Sequence, residues 1–277
     1  MTRFSRRSDR IRFNVQEGEN MTKTLLALAA TLALGTTAIA DTVKIGVAAE
    51  PYPPFSSPDS SGQWVGWEID FMNAICKQAQ LECELTPVAW DGLIPALTAG
   101  QIDVIMSSMS ITEERMQTID FSDKYYNTPT VIIAAKGSGI TPDAVGLTGK
   151  ILGAQVSTTH ERYATKNFQS AVAELKLYQT VDEANQDLAA GRIDALMGDS
   201  IGVEQFLTTE AGAACCEIVG NVADDPAVLG LGIGFGLRKD DPLKTTLNAS
   251  IAAIRADGTY DAITKKYFTS DIYGATN

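Results

Sequence analysis

The sequence has a single histidine, His160, and its four cysteines form no pair of CxxC motifs. Histidine and cysteine are the usual protein ligands of zinc, so a metal site is not expected, and no cofactor is predicted. The glycine-rich run 231–237, Leu-Gly-Ile-Gly-Phe-Gly-Leu, lacks the GxGxxG spacing of a dinucleotide-binding turn. It reads instead as a strand closely approached by another backbone. Beyond residue 40 no apolar stretch nears the roughly 18 to 20 residues of a transmembrane helix. Positive charge is also scarce, with 22 Lys/Arg against 34 Asp/Glu.

The one strongly apolar segment lies near the start. Met21-Thr-Lys-Thr leads into Leu-Leu-Ala-Leu-Ala-Ala-Thr-Leu-Ala-Leu at 25–34 and ends at Ala38-Ile-Ala40. That is a secretory signal peptide cleaved after Ala40, with Met21 as the start and residues 1–20 an over-long extension. Arg6-Arg7 sits far from the apolar core and is not read as a twin-arginine signal. No cysteine follows the cleavage site, so no lipid anchor is expected there. Cleavage removes six Lys/Arg and three Asp/Glu and leaves a net charge of −15 on 237 residues. A nucleic-acid or anionic-membrane partner is not expected on that charge, and the mature chain is expected to be soluble and exported. Its length suits one large domain or two lobes.

The stretch 106–115, Met-Ser-Ser-Met-Ser-Ile-Thr-Glu-Glu-Arg, follows a buried-strand pattern at 102–106 and opens a helix at Thr112. Hydroxyls, exposed N–H groups and an arginine at a helix start favour a carboxylate or phosphate. The plain alternative is N-capping beside a surface arginine. Around this stretch the pattern is strand 43–47, helix 68–80, strand 85–89, helix 93–99 and strand 102–106. Such alternation predicts a parallel α/β sheet with its ligand site beyond the carboxyl ends of the strands. The proline-stiffened loop 48–55, carrying Glu50, Tyr52 and Phe55, and the Trp90-Asp91 pair both fall at such ends. Tyr52 and Phe55 read equally well as cover for the core edge.

A second unit of the same kind starts near Thr128-Pro129: strand 130–135, strand 150–155 running into Val156-Ser-Thr-Thr-His160, strand 175–179, helix 181–190, and strand 193–197 ending at Gly198-Asp199. Thr98-Ala-Gly-Gln-Ile-Asp103 and Ala189-Ala-Gly-Arg-Ile-Asp194 match as helix end, glycine cap and strand start. Two lobes on one plan are therefore expected. Residues 241–268 read as a final helical region broken at Gly258. Cys76 and Cys83 suit a disulfide between helix end and strand start in an exported protein. Cys215 and Cys216 are adjacent, and free thiols, a vicinal disulfide and an intermolecular bridge all remain open.

Ser107-Ser-Met-Ser-Ile-Thr-Glu-Glu-Arg115, Ala190-Gly-Arg-Ile-Asp194, Gly236-Leu-Arg-Lys239, Arg255-Ala-Asp-Gly-Thr-Tyr260 and the Cys76/Cys83 spacing together resemble the periplasmic polar-amino-acid-binding proteins, in the lysine/arginine/ornithine- and histidine-binding branch. The resemblance spans essentially the whole exported chain. It implies a type II two-lobed binding-protein fold, each lobe a mostly parallel sheet flanked by helices, with two crossover strands as hinge. Lobe 1 would comprise 41–128 and 226–277, lobe 2 129–225. It further implies a monomer that closes on an amino acid and delivers it to an ABC importer, not an enzyme. Carried over, Arg115, Ser110 and Thr159 would hold the ligand carboxylate, Ser107 and Ser108 would hold it from the first lobe, and Asp199 would take the ammonium. Tyr52 and Trp90 would flank the side chain, with Glu68, Thr158 and His160 in supporting positions. Read on its own, Asp199 is as easily a buried or capping acid, and His160 a surface or capping residue.

The departure is at the side-chain end. Where the branch places an aspartate three residues before the stacking tyrosine, this chain has Ala49; its loop is one residue longer, with Glu50 two before Tyr52. If Glu50 replaces that aspartate, arginine, ornithine, lysine or an opine is favoured, by charge and by cation–π contact. If it faces solvent, a neutral polar amino acid fits. Two enzymatic readings compete. Gly198-Asp-Ser-Ile-Gly202 matches G-x-S-x-G, but no histidine follows Ser200, so the nucleophile-elbow order fails. A lyase using Glu50 or Glu68 as general acid is the other.

Overall fold

The structure is a computed structural model in which residues 42–274 are described; the signal-peptide segment 1–40 lies outside these residues. In chain order the strands are β1 (Val43–Ala48), β2 (Ser57–Pro58), β3 (Trp64–Val65), β4 (Cys83–Val88), β5 (Val104–Ile105) and β6 (Asp120–Phe121), then β7 (Thr130–Ala135), β8 (Ile151–Gln155), β9 (Glu174–Tyr178), β10 (Ala195–Asp199) and β11 (Cys216–Asn221), and last β12 (Gly236–Leu237). They build two five-stranded sheets, β4-β1-β5-β12-β6 and β11-β7-β10-β8-β9, with β2 and β3 paired separately. The chain crosses between the sheets after β6 and returns after β11. The two crossings meet where Val222 N–H donates to the Thr130 carbonyl at 3.1 Å.

Each sheet is mixed. β1 runs parallel to β4 and β5, and β8 parallel to β9 and β10. β12 is antiparallel to β5 and β6, and β7 antiparallel to β10 and β11. The sequence pattern exposes only the parallel trios, because those come from consecutive strand–helix–strand units. The antiparallel pairs are made by segments arriving at or returning from a crossing.

The central strands are apolar for most of their length because helices cover both faces. On one face of the first sheet, Trp67, Phe71 and Ile75 of helix Trp67–Ala79 pack with Leu247, Ile251 and Ile254 of helix Leu243–Ala256. On the other, Leu93 and Leu97 of helix Leu93–Thr98 meet Ile102, Ile105 and Ile119. The second sheet is sandwiched in the same way, with Tyr163 and Phe168 on one side and Ala184, Leu188 and Val203 on the other.

The repeated Gly-x-Ile-Asp segments perform the same task twice. Gly100 and Gly191 take left-handed backbone (φ 70° and 67°) and end their helices. Asp103 Oδ2 then accepts from Lys44 N–H at 3.0 Å, and Asp194 Oδ2 from Ile151 N–H at 2.8 Å, so each aspartate ties its strand to the start of a neighbouring parallel strand. In 230–237 a Cβ at Gly230 would lie 2.5 Å from the Ile111 carbonyl oxygen, and at Gly232 3.0 Å from that of Tyr126, the close backbone approach expected there.

Cys76 and Cys83 are bonded, joining the end of helix Trp67–Ala79 to the first residue of β4, and Cys215 is bonded to Cys216. The Cys76→Ser/Cys83→Ser double variant, measured by urea denaturation, should lose about 2.5 kcal/mol, the loop-closure value for a ring of roughly eight residues.

Candidate functional site

The carboxyl ends of β1, β4 and β5 face those of β8 and β10 across a cleft, where an open α/β sheet places its ligand. All nine residues expected to touch a ligand line one cavity there, and so do Thr158 and His160. From the first sheet come Glu50 and Tyr52 after β1, Trp90 after β4, and Ser107, Ser108 and Ser110 after β5. From the second come Thr159 after β8 and Asp199 at the end of β10.

Arg115 sits in the one-turn helix Glu113–Met116, whose N-cap Thr112 accepts from Arg115 N–H at 3.2 Å. The guanidinium is buried against the Trp90 ring, 5.5 Å from its centroid. It donates to the Ser110 carbonyl at 2.9 Å and to the Ser157 carbonyl, in the second half of the chain, at 3.2 Å. Two of its five N–H donors are thus spent on carbonyls and none on a carboxylate. Burial pulls its pKa down to about 9, the nearby Arg162 charge adds to the effect, and the group stays cationic at neutral pH.

The serine segment is shaped by a buried acid. Ser108 takes left-handed backbone (φ 51°), unusual for a residue with a side chain. Its N–H donates to Glu68 Oε1 at 2.8 Å and its hydroxyl to Oε2 at 3.2 Å, while the Tyr125 hydroxyl donates to Oε1 at 2.5 Å. Glu68 is wholly buried behind the serines and does not line the cavity. The resemblance gives it a supporting position behind the ligand; both its oxygens are bonded to protein donors, and it holds Ser108 in place. Burial pushes its carboxyl above the ordinary range, opposed by the three donors. Ser107 Oγ accepts from Ala48 N–H at 2.9 Å, fastening the β5 end to the β1 end.

At the other end of the cavity Glu50 turns inward, and its Oε2 is buried without a hydrogen-bond partner. Asp199 Oδ2 accepts from the Tyr52 hydroxyl at 2.9 Å. Its Oδ1 lies 3.4 Å from His160 Nε2 without hydrogen-bond geometry, so that ring nitrogen is also unpartnered. Burial first, then Asp199, raises the Tyr52 phenol well above its usual range, and it remains a donor. Thr158 caps helix Thr159–Asn167, accepting from Glu161 N–H at 3.1 Å and donating to the Gln155 carbonyl at 2.7 Å.

Among the described residues, polar contacts bridge the cleft from Tyr52 to Asp199, Arg115 to Ser157, the Trp90 indole N–H to the Val156 carbonyl at 3.2 Å, and Arg162 to Glu114 at 3.0 Å. Sequence reasoning missed the second-sheet wall of Gln155, Val181, Ala184, Leu196, Gly202 and Val203. In sequence the apolar members, Val181, Ala184, Leu196 and Val203, carry the same pattern as core. The G-x-S-x-G serine is elsewhere: Ser200 Oγ is 3.1 Å from Thr128 Oγ1 at the crossing, and His160 is set against Asp199.

The profile of the bacterial extracellular solute-binding proteins, family 3, matches residues 43–270. This chain belongs to that family. It is 41% identical to the L-arginine-binding protein of Pseudomonas aeruginosa over 246 residues, covering 88% of this chain and 94% of the relative. It is likewise 41% identical to the lysine/arginine/ornithine-binding periplasmic protein of Escherichia coli over 261 residues, covering 92% and 100%. Among solved structures, an ancestral arginine-binding protein bound to arginine superposes with a TM-score of 0.74 at 34% identity, covering 82% of this chain and 98% of that one. A solute-binding cleft replaces the two enzymatic rivals.

The placement of Glu68 predicts a stability effect. Glu68→Leu leaves the Ser108 N–H and the Tyr125 hydroxyl unpaired, and each orphaned buried donor costs about 1 to 3 kcal/mol. Urea denaturation should register that loss, and restoring the shape with Glu68→Gln should recover part of it.

Proposed function

We propose that this solute-binding protein captures a basic L-α-amino acid, of the arginine, ornithine, lysine or histidine type or an opine built from one, and presents it to an ABC importer. The single observation that carries the reading is the charge pattern of the cavity. Its charged lining is one cation, Arg115, and two acids, Asp199 and Glu50, with one Glu50 oxygen buried and unpaired. A basic amino acid presents the complement, one carboxylate and two cations. Arg115, Ser110 and Thr159 take the carboxylate, Asp199 the α-ammonium, and Glu50 the cationic head, with Ser107 and Ser108 holding from the first lobe. Tyr52 and Trp90 border the side chain.

Charged hydrogen bonds contribute about 1.5 to 3 kcal/mol each. Three or four of them reach micromolar binding, near −8 kcal/mol, after ordering costs. A neutral ligand would leave the buried Glu50 oxygen without a partner. The names of the relatives support the basic class, and the periplasmic location in the name of the Escherichia coli relative agrees with the export expected from residues 1–40. We take the lobes as 41–128 with 226–277, and 129–225, and the protein as a monomer that closes about the two crossings.

A thermal-shift panel of amino acids, opines and polyamines on ligand-stripped protein tests the class. A ligand at a thousandfold excess over Kd adds about 4 kcal/mol of stability, a rise of about 8 to 16 °C at this size. Arginine, ornithine or lysine should give it; a shift from neutral or acidic amino acids alone overturns the basic assignment. Arg115→Ala should abolish binding of every ligand, and near-normal calorimetric affinity would remove its carboxylate role. Glu50→Gln should weaken arginine about tenfold or more while sparing neutral ligands; equal losses for both would show that it does not read charge.

A further inference from the structure

Gly202 occupies the third position of helix Ser200–Leu207, where its backbone is ordinary and requires no glycine. Glycine inside a helix costs up to about 1 kcal/mol relative to alanine. The residue is therefore unfavourable for its own helix, and its surroundings give the reason. A Cβ built there would lie 2.7 Å from the Tyr52 hydroxyl oxygen and 2.9 Å from both Cε2 and Cζ of the same ring. The three nearest atoms thus all belong to one side chain from the opposite side of the cleft. That ring has little room to yield: it stacks on Phe55 at 5.7 Å, Phe55 is wholly buried and stacks on Tyr126 at 4.7 Å, and the Tyr52 hydroxyl is bonded to Asp199.

We propose that Gly202 is a positioning residue for closure, a notch on the second lobe that seats the Tyr52 ring so that its hydroxyl reaches Asp199. The G-x-S-x-G segment then has a non-catalytic use: Asp199 offers the carboxylate, and the glycine three positions on clears the approach to it. The inference rests on the reading of Asp199 as the ammonium acceptor, because the seated tyrosine fixes one of its oxygens and leaves the other toward the cavity.

The experiment is a double-variant cycle on ligand-stripped protein, with L-arginine affinity by calorimetry, unfolding temperature by calorimetric scan, and radius of gyration by small-angle scattering. Overpacking at the notch should weaken arginine binding about tenfold in Gly202→Ala. The unfolding temperature should hold or rise, since alanine favours the helix. A merely structural glycine predicts that affinity and unfolding temperature fall together. In the Tyr52→Ala background, Gly202→Ala should cost nothing further; the same loss in both backgrounds, or no loss in either, overturns the proposal. If the wild type prefers another of the twenty amino acids, the basic assignment fails and the cycle is read with that ligand. Should it bind none, the binding reading fails and scattering decides the notch: Gly202→Ala should expand the protein only when Tyr52 is present, and unchanged dimensions overturn it.

Discussion

A guanidinium taken out of water between two sheets must be held by dipoles, a ring face or opposite charge, and Arg115 has the first two, with Glu114 and Asp199 near but no carboxylate hydrogen-bonded to it. Ser110 and Ser157 supply carbonyl oxygens from opposite sides of the cleft, and Trp90 supplies its face. Much of the architecture follows from that requirement. The short helix that carries Arg115 is capped by Thr112, the serine turn before it is bent by Glu68, and Glu68 is in turn held by Tyr125. A buried carboxylate thus sits one layer behind a buried guanidinium, each with its own hydrogen-bond partners. Arg115 also lines the cavity, and it does so without a hydrogen-bonded carboxylate.

The two sheets meet this arrangement from opposite sides with the same construction. In both, a strand leads to a helix start that presents hydroxyls, and in both a Gly-x-Ile-Asp segment ties neighbouring parallel strands together through one aspartate oxygen. Because the crossings are extended and meet at Val222 and Thr130, the halves share little covalent structure beyond two passes of chain. The contacts that hold them together are concentrated in the cleft, among the same side chains that would meet a ligand. Closure and recognition therefore draw on a common set of groups, which is why Tyr52 touches Asp199 as well as lining the cavity.

Much of this was legible in the sequence because periodicity and punctuation report local structure directly. Strand–helix alternation gave the parallel trios, glycine after a helix gave its end, and hydroxyls ahead of Glu113 gave the helix start at Thr112, which the structure makes the N-cap. The antiparallel half of each sheet was not legible, since it depends on where a chain returns after a crossing. Nor was the role of Glu68: a glutamate at the start of a helix looks like a surface residue, and only the fold reveals that Ser108 and Tyr125 reach it. The cavity wall of Ala184, Leu196 and Val203 was hidden for the opposite reason, because apolar residues facing a ligand and apolar residues facing a core look alike. The pairing of Cys215 with Cys216 was one of three options that the sequence left open.

That wall has an effect on how the protein can change. Ala184, Leu196 and Val203 belong to the same buried cluster as Ile133, Leu188 and Cys216, so any alteration in their size is felt throughout the packing of the second sheet. Glu50 stands in a loop, outside every strand and helix. The loop and the wall therefore differ in tolerance: a substitution at Glu50 leaves the packed cluster untouched, whereas one at Ala184, Leu196 or Val203 disturbs the second sheet behind it.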